Sequence, residues 1–302
     1  MEIKNTENIK IESDFLNKNQ VFLTVKREDL IHKYISGNKF RKLKYNIIEA
    51  KKQHKQTLLS FGGAYSNHIE ALSFAGHELG MNTIGLIRGD ELSGQPLNPT
   101  LTRAFRNGMK LVFITRKQYS RKEEKVFLME LKNDFGDFYL IPEGGTNHLA
   151  VLGCEEIIGH QEHEFDVIAS SVGTGGTISG IINASSCSQK VIGFSALKGD
   201  FLKDYIVDKV NKDNWELNEE YHFGGYAKVT NELIDFINNF KMETGIPLDP
   251  IYTGKMMFGI YDLIKKGKFQ KNTSILAIHT GGLQGIDGMN QVLQKKGMKL
   301  IV

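Results

Sequence analysis

FDVIASSVGTGGTISGIINA (165–184) holds a strand, a glycine loop and the start of a helix in one run. FDVIASSV (165–172) is apolar or small almost throughout, the pattern of a strand buried on both faces. A helix is expected to follow over about 177–186. Glycines at such a junction let backbone N–H groups approach an anion at the helix N-terminus, where the helix dipole also favours negative charge. Thr174 and Thr177 add hydroxyl donors, so SSVGTGGT (170–177) is the best candidate in the chain for a phosphate cradle.

The same unit recurs on either side. TLLSF (57–61), NTIGLI (82–87), KLVFIT (110–115), FYLI (138–141), KVIGFSA (190–196) and TSILAIHT (273–280) read as further buried strands. Helical patterns lie between them in NKFRKLKYNIIEAKKQ (38–53), SNHIEALSFAGHELG (66–80), NPTLTRAFRNG (98–108) and SRKEEKVFLMELKNDFG (120–136), and again around 199–211, 229–244 and 255–267. Strands alternating with helices of this length imply βαβ units and parallel sheets, an α/β fold. The alternation runs in two series, which sets domain boundaries near 40 and 150. Three more glycine clusters, SFGGAYSN (60–67), PEGGTN (142–147) and HTGGLQG (279–285), accompany the first. Ligands of open α/β sheets bind beyond the carboxyl ends of the strands, so these loops converge on one crevice.

Composition narrows the field. The chain has 302 residues, 40% hydrophobic and 24% charged, which suits a folded soluble protein. A net charge of +3 leaves no electrostatic footprint for nucleic acid or an anionic membrane. The longest uncharged stretch, 167–189, is too polar for a membrane span, and MEIKNTENIKIESDF (1–15) has no apolar core of a secretory signal. Cys154 and Cys187 cannot build a disulfide framework, which points to a reducing cytoplasm, and both read as ordinary small buried residues. None of the glycine loops carries the Lys-Ser/Thr pair of a P-loop, and GTGGTISG (173–180) fits a dinucleotide fingerprint only loosely. Metalloprotease, zinc-module and serine-hydrolase motifs are absent, so no metal ligands are assigned.

SGNKFRKLKY (36–45) remains. Lys39 follows a Ser-Gly-Asn turn and opens a helix with Arg41, Lys42 and Lys44, which by composition alone reads as a solvated face. A lysine in an environment that lowers its pKa forms a Schiff base with a carbonyl cofactor. Pyridoxal 5′-phosphate has both handles, an aldehyde for such a lysine and a phosphate for the cradle. A non-catalytic nucleotide-binding module using GTGGT is the alternative from another class.

REDL (27–30), SGNKFRKLKY, FGGAYSNH (61–68), PEGGTN, VGTGGT (172–177), DPIYTGKMMFG (249–259) and HTGG (279–282) occur in one order. In that order, from about Val25 to His279, the chain resembles the 1-aminocyclopropane-1-carboxylate deaminase/D-cysteine desulfhydrase family, pyridoxal-phosphate enzymes of the tryptophan-synthase-β type. The resemblance implies fold type II of such enzymes, two open twisted, mainly parallel-sheet α/β domains with the cofactor in the cleft between them. The smaller would span 40–150 and the larger 1–39 plus 151–302. It also implies a homodimer acting on a small amino acid.

Carried over by motif, Lys39 resembles the Schiff-base lysine, Ser66 a catalytic hydroxyl beside the substrate, and Asn67 the residue that holds the cofactor's phenolic oxygen. Gly173, Thr174, Gly175, Gly176 and Thr177 match the phosphate loop. Tyr252 matches a tyrosine near the cofactor, and Tyr65, His68 and Thr253 are expected at the substrate together with Ser66 and Asn67. The helix N-cap role common for serine is also open to Ser66. Thr253 and Thr280 stand where the deaminases have Glu and Leu, and the desulfhydrases have hydroxyls. Thr280 would then hydrogen-bond the pyridine nitrogen without protonating it, which suits β-elimination. Met289 replaces a tyrosine of the deaminase pattern. The expected activity is elimination of sulfide from D-cysteine, or a related β-substituted amino acid, to pyruvate and ammonia. Deamination of the cyclopropane amino acid is the alternative within the family.

Overall fold

A computed structural model describes residues 6–35, 37–198 and 201–302. Ser36 of the SGNK turn and the first two residues of the helix expected from 199 lie outside the described residues, as do the first five. Among the described residues there are ten strands, β1 (Asn8–Ile11), β2 (Phe22–Lys26), β3 (Thr57–Gly62), β4 (Asn82–Arg88), β5 (Lys110–Ile114), β6 (Tyr139–Ile141), β7 (Val167–Val172), β8 (Lys190–Ser195), β9 (Trp215–Asn218) and β10 (Ser274–Ile278). The first helices are α1 (Asp14–Asn19), α2 (Asn38–Lys52), α3 (Asn67–Leu79), α4 (Pro99–Arg106), α5 (Arg116–Ser120) and α6 (Lys125–Phe135). The others are α7 (His148–Glu155), α8 (Gly176–Ala184), α9 (Phe201–Val207), α10 (Asn231–Thr244), α11 (Thr253–Lys265) and α12 (Gly285–Lys295).

The strands form two sheets, a six-stranded one in the order β1-β2-β10-β7-β8-β9 and a four-stranded one in the order β5-β4-β3-β6. Every pairing is parallel except that of β1 with β2. Parallel strands have no exposed face, and alternation along β7 shows how both faces are filled. Val167 and Ala169 enter one apolar core, with Leu23, Ile192 and Ile275. Ile168 enters a second core on the other face, with Val191, Leu276 and Ile278. In the smaller sheet Leu58 faces the core under α2 and α3, while Leu59 and Phe61 face the one under α6.

β2 follows the short run VFLTV (21–25) with a charged residue, Lys26, buried inside the sheet. Its amine is neutralised by Glu162 at 2.7 Å, across 136 residues of chain. SRKEEKVFLMELKNDFG also departs from the single helix expected of it. α5 ends at Ser120 and α6 begins at Lys125, with Arg121 bridging the break to Glu124 at 2.9 Å and Glu130 at 3.0 Å. Cys154 is buried, whereas Cys187 is exposed, contrary to the expectation, because it lies in the turn between α8 and β8.

The face of α2 is not solvated. Arg41 is held bidentately by Glu28, at 2.9 and 3.0 Å, and reaches Glu156 at 3.2 Å. Lys42 is 2% exposed. This cationic helix packs with α3 and β3 at one side and against α7 at the other, so it joins the two sheets. Its start is set by close backbone approach. Asn38 N–H donates to the Thr280 carbonyl at 3.2 Å and Gly37 N–H to the Glu28 carbonyl at 3.1 Å. Gly37 has φ +62°, and a Cβ there would lie 2.0 Å from the Thr280 oxygen. Gly37→Ala therefore combines backbone strain with a clash against main chain and should cost on the order of 3 kcal/mol. Gly80 has a similar φ of +64° with nothing within 4 Å, so Gly80→Ala should cost only about 1 kcal/mol. Denaturant midpoints of the two variants measure the difference.

Candidate active site

The loops that follow β3, β4, β7 and β10 and the first turn of α2 line one cavity of about 610 Å³. Lys39, the second residue of α2, opens onto it, with its amine donating to Asn38 Oδ1 at 3.0 Å. Burial, and then the nearby charge of Lys42, push the Lys39 amine down to about 7. Lys42, pushed down to about 8 by burial, donates to Thr146 Oγ1 at 2.8 Å and to Gly144 O and Thr174 Oγ1 at 3.2 Å. It thus ties the PEGGTN loop to the GTGGT loop.

Gly173 leaves room for the ring of Tyr252, since a Cβ there would lie 3.0 Å from Cε1. Gly175 is left-handed at φ +84° and precedes α8, which no side chain caps. The N-terminus of α8 with Thr174 and Thr177 therefore faces the cavity as an anion cradle. Gly176 is inside α8 and does not line the cavity. Across from it, Ser66 both lines the cavity and caps α3, accepting from Ile69 N–H at 3.3 Å. Tyr65, Asn67 and His68 line it too. His68 Nε2 lies 2.9 Å from Ser60 Oγ, and its buried Nδ1 has no hydrogen-bond partner among the described residues. Burial and the two lysines hold this imidazole well below its ordinary pKa, so it is neutral.

Thr280 lies at the cavity wall with its hydroxyl 3.1 Å from Ser171 Oγ. Tyr252 lines the cavity beside Tyr226, whose ring meets it edge-on at 6.3 Å. Burial keeps the Tyr252 phenol well above its usual pKa. Tyr226 comes from a turn pinned by Lys255, whose buried amine donates to His222 O at 2.9 Å and Gly225 O at 2.8 Å.

Thr253 corrects an expectation. It is fully buried outside the cavity, and its hydroxyl donates to Asp249 Oδ1 at 2.7 Å, so it does not reach a substrate. Met289 is likewise core, packed under the larger sheet. His279 is locked structurally, with Nε2 2.7 Å from Pro247 O and Nδ1 accepting from Gly281 N–H at 3.2 Å. Sequence reasoning missed Lys42, Tyr226, Ser171 and Arg88. Lys42 carried a signal, since three residues beyond Lys39 puts it on the same helical face, and Ser171 lies within SSVGTGGT itself.

A lysine amine near neutrality, a glycine-rich helix N-terminus and a hydroxyl at the opposite wall fit pyridoxal 5′-phosphate. Lys39 can hold its aldehyde, the 173–177 loop with Lys42 its phosphate, and Thr280 its ring nitrogen.

Comparison with known proteins agrees. The family model described as pyridoxal-phosphate dependent enzyme matches residues 1–281. The bifunctional D-cysteine desulfhydrase/1-aminocyclopropane-1-carboxylate deaminase of Arabidopsis thaliana is 31% identical over 306 residues, covering 91% of this chain and 76% of that protein. The 1-aminocyclopropane-1-carboxylate deaminase of Bradyrhizobium sp. strain BTAi1 is 29% identical over 284 residues, with 84% of each covered. A crystal structure of an ACC deaminase homologue superposes with a TM-score of 0.85 at 28% identity, covering 98% of this chain and 95% of the other. The chain belongs to the pyridoxal-phosphate dependent enzyme family, in the group of lyases that includes the 1-aminocyclopropane-1-carboxylate deaminases and D-cysteine desulfhydrases.

Proposed function

We infer that the chain is a D-cysteine desulfhydrase-like lyase, eliminating sulfide from D-cysteine or a related β-substituted amino acid to give pyruvate and ammonia. The observation that carries this reading is the hydroxyl pair Thr280–Ser171 at the cavity wall, which among the described residues makes no hydrogen bond to a carboxylate. Asp249, the nearest buried acid in the neighbouring motif, accepts from Ile251, Tyr252 and Thr253 N–H at 2.8–2.9 Å and from the Thr253 hydroxyl at 2.7 Å. Bound pyridoxal phosphate supplies an electron sink, and a ring nitrogen facing a hydroxyl stays unprotonated, a weaker sink. Elimination tolerates that, because the leaving group soon takes the electrons. Cyclopropane ring opening has no such leaving group.

The residues divide the remaining work by protonation state. A Lys39 amine with a pKa of about 7 is about half uncharged in neutral solution and is suited to accept the Cα proton. Tyr252 stays protonated and is suited to give a proton to the departing sulfur, not to remove one from carbon. Asn67, the first residue of α3, offers its main-chain N–H to the substrate carboxylate, while that of Ser66 is held by Gly63 O at 3.0 Å. The C–S bond then breaks with its electron pair on sulfur, and water releases pyruvate and ammonia. The names of the relatives favour cyclopropane deamination as a second reading, and one assay weighs both.

Lys39→Ala should remove visible cofactor absorbance and any borohydride-stable attachment, and lower turnover by about 10³-fold or more. In cofactor-free protein, uptake of unphosphorylated pyridoxal should accelerate as pH rises through about 7, because the neutral amine is the nucleophile. Lys42→Gln deletes a neighbouring positive charge, so that midpoint should move to higher pH. Stopped-flow absorbance across the pH range checks the direction.

Thr280→Leu should lower kcat/KM for sulfide release from D-cysteine about tenfold, the worth of one hydrogen bond, with the cofactor still bound. Thr253→Val should instead reduce thermal stability while leaving substrate choice alone, since it removes one of the four hydrogen bonds that the Asp249 carboxylate accepts and the hydroxyl acceptor of the Asp249 N–H. Parallel assays of sulfide from D-cysteine and ammonia from 1-aminocyclopropane-1-carboxylate decide between the two activities. Faster ammonia release from the cyclopropane substrate in the wild type would overturn the desulfhydrase reading.

A further inference from the structure

β4 ends in Arg88, which lines the cavity beside the loop that follows β3. Its Nη2 lies 4.0 Å from the position a Cβ on Gly63 would take. Gly63 begins the loop that carries Ser66 and Asn67, so the guanidinium stands next to the substrate end of the site. Arg27, Arg41, Arg103, Arg116 and Arg121 each meet a carboxylate at 2.9 Å or closer. Arg88 meets none among the described residues.

It is nevertheless held in place. Its guanidinium carbon lies 5.6 Å from the centre of the Tyr119 ring. Tyr119 is 4% exposed, packs edge-on against Phe61 at 5.9 Å, and donates its hydroxyl to Glu143 at 2.5 Å. The platform is therefore rigid, and it supports the cation through its face without using the N–H fork. The two acids at this end of the cavity are engaged elsewhere. Glu91 pairs with Arg116 at 2.7 Å, and Glu143 takes Tyr119 and lies 3.5 Å from Lys122. What faces the cavity is an oriented guanidinium with unfilled donors, and such a fork matches carboxylate or phosphate oxygens bidentately.

We propose that Arg88 receives an anionic group on the side chain of the amino-acid substrate, so that β-substituted amino acids with a charged substituent are preferred to neutral ones. The inference rests on the β-elimination reading above and names its substrate class. With O-phosphoserine, Cα loses its proton to the base and the Cβ–O bond breaks with its electron pair leaving on phosphate. Water then gives pyruvate and ammonia.

The test compares pyruvate release from O-phosphoserine, O-succinylserine and the uncharged β-chloroalanine, each as D- and L-enantiomer, by the cofactor-loaded enzyme. Wild-type enzyme should favour a charged probe, and whichever of the two is preferred distinguishes phosphate from carboxylate. Arg88→Gln should lower kcat/KM for that probe about 30-fold or more, mostly through KM, and change β-chloroalanine less than about threefold. Arg88→Lys should retain part of the preference, since it keeps the charge and loses the fork. Equal losses on charged and neutral probes would mean that Arg88 holds the α-carboxylate, and would overturn the proposal. So would a wild-type preference for β-chloroalanine. Arg88-dependent turnover of a charged probe without sulfide release from D-cysteine would refute the desulfhydrase assignment and leave this proposal standing.

Discussion

The start of α2 can touch the loop after β10 only because residue 37 has no side chain. Main chain meets main chain there, with Asn38 N–H on the Thr280 carbonyl. That contact sets where Lys39 emerges relative to Thr280, and both residues line the same cavity. The rest of α2 belongs to the core under the smaller sheet, so the helix carries the register of one sheet to the loops of the other. Adjustment of the two sheets against each other meets packed backbone at this junction, which leaves little room for it.

Within α2 the cations are treated differently, and the differences explain the chemistry. Arg41 and Lys44 are matched by Glu28 and Glu156. Lys42 is buried among hydroxyls and a carbonyl, which accept its protons without neutralising its charge. Lys39 has one amide oxygen and faces the Lys42 charge. Neither cavity lysine meets a carboxylate among the described residues, and basicity falls from about 8 at Lys42 to about 7 at Lys39, the one with fewer acceptors. Arg41→Lys would disturb this order indirectly, since a lysine cannot hold Glu28 and Glu156 together through a planar fork.

Much of the fold was legible because parallel strands advertise themselves as apolar runs ended by glycine. β3, β4, β5, β6, β7, β8 and β10 fall within a few residues of their expected places. β1, β2, β9, α1, α7 and α12 were not identified. β2 hides behind Lys26, whose charge is cancelled by a partner remote in sequence, and β9 is a short polar-alternating edge. In the site, the glycine loops and their flanking Ser66, Asn67 and Thr280 could be read from spacing and from the family resemblance. Thr253 could not be placed that way, because a hydroxyl next to a cavity residue in sequence can turn into the core, as it does toward Asp249. Tyr226 and Arg88 reach the cavity from elements that no motif marks.

The pairing of β2 with β10 has a consequence for how the chain is made. Leu23 lies opposite Ile275, about 250 residues later, while the smaller sheet is complete within a contiguous stretch ending at Ile141. On a ribosome adding 5–20 residues per second, β2 waits on the order of 10–50 s for its partner strand. Leu23 and Val25, fully buried in the finished sheet, lack that cover during the wait. β1 is adjacent and antiparallel, so it can protect one edge of β2 at once. The other edge stays open to mispairing until β10 has been made. A nascent chain released before β10 would carry Lys39 without Thr280, an intact smaller sheet and no cavity wall to close against it.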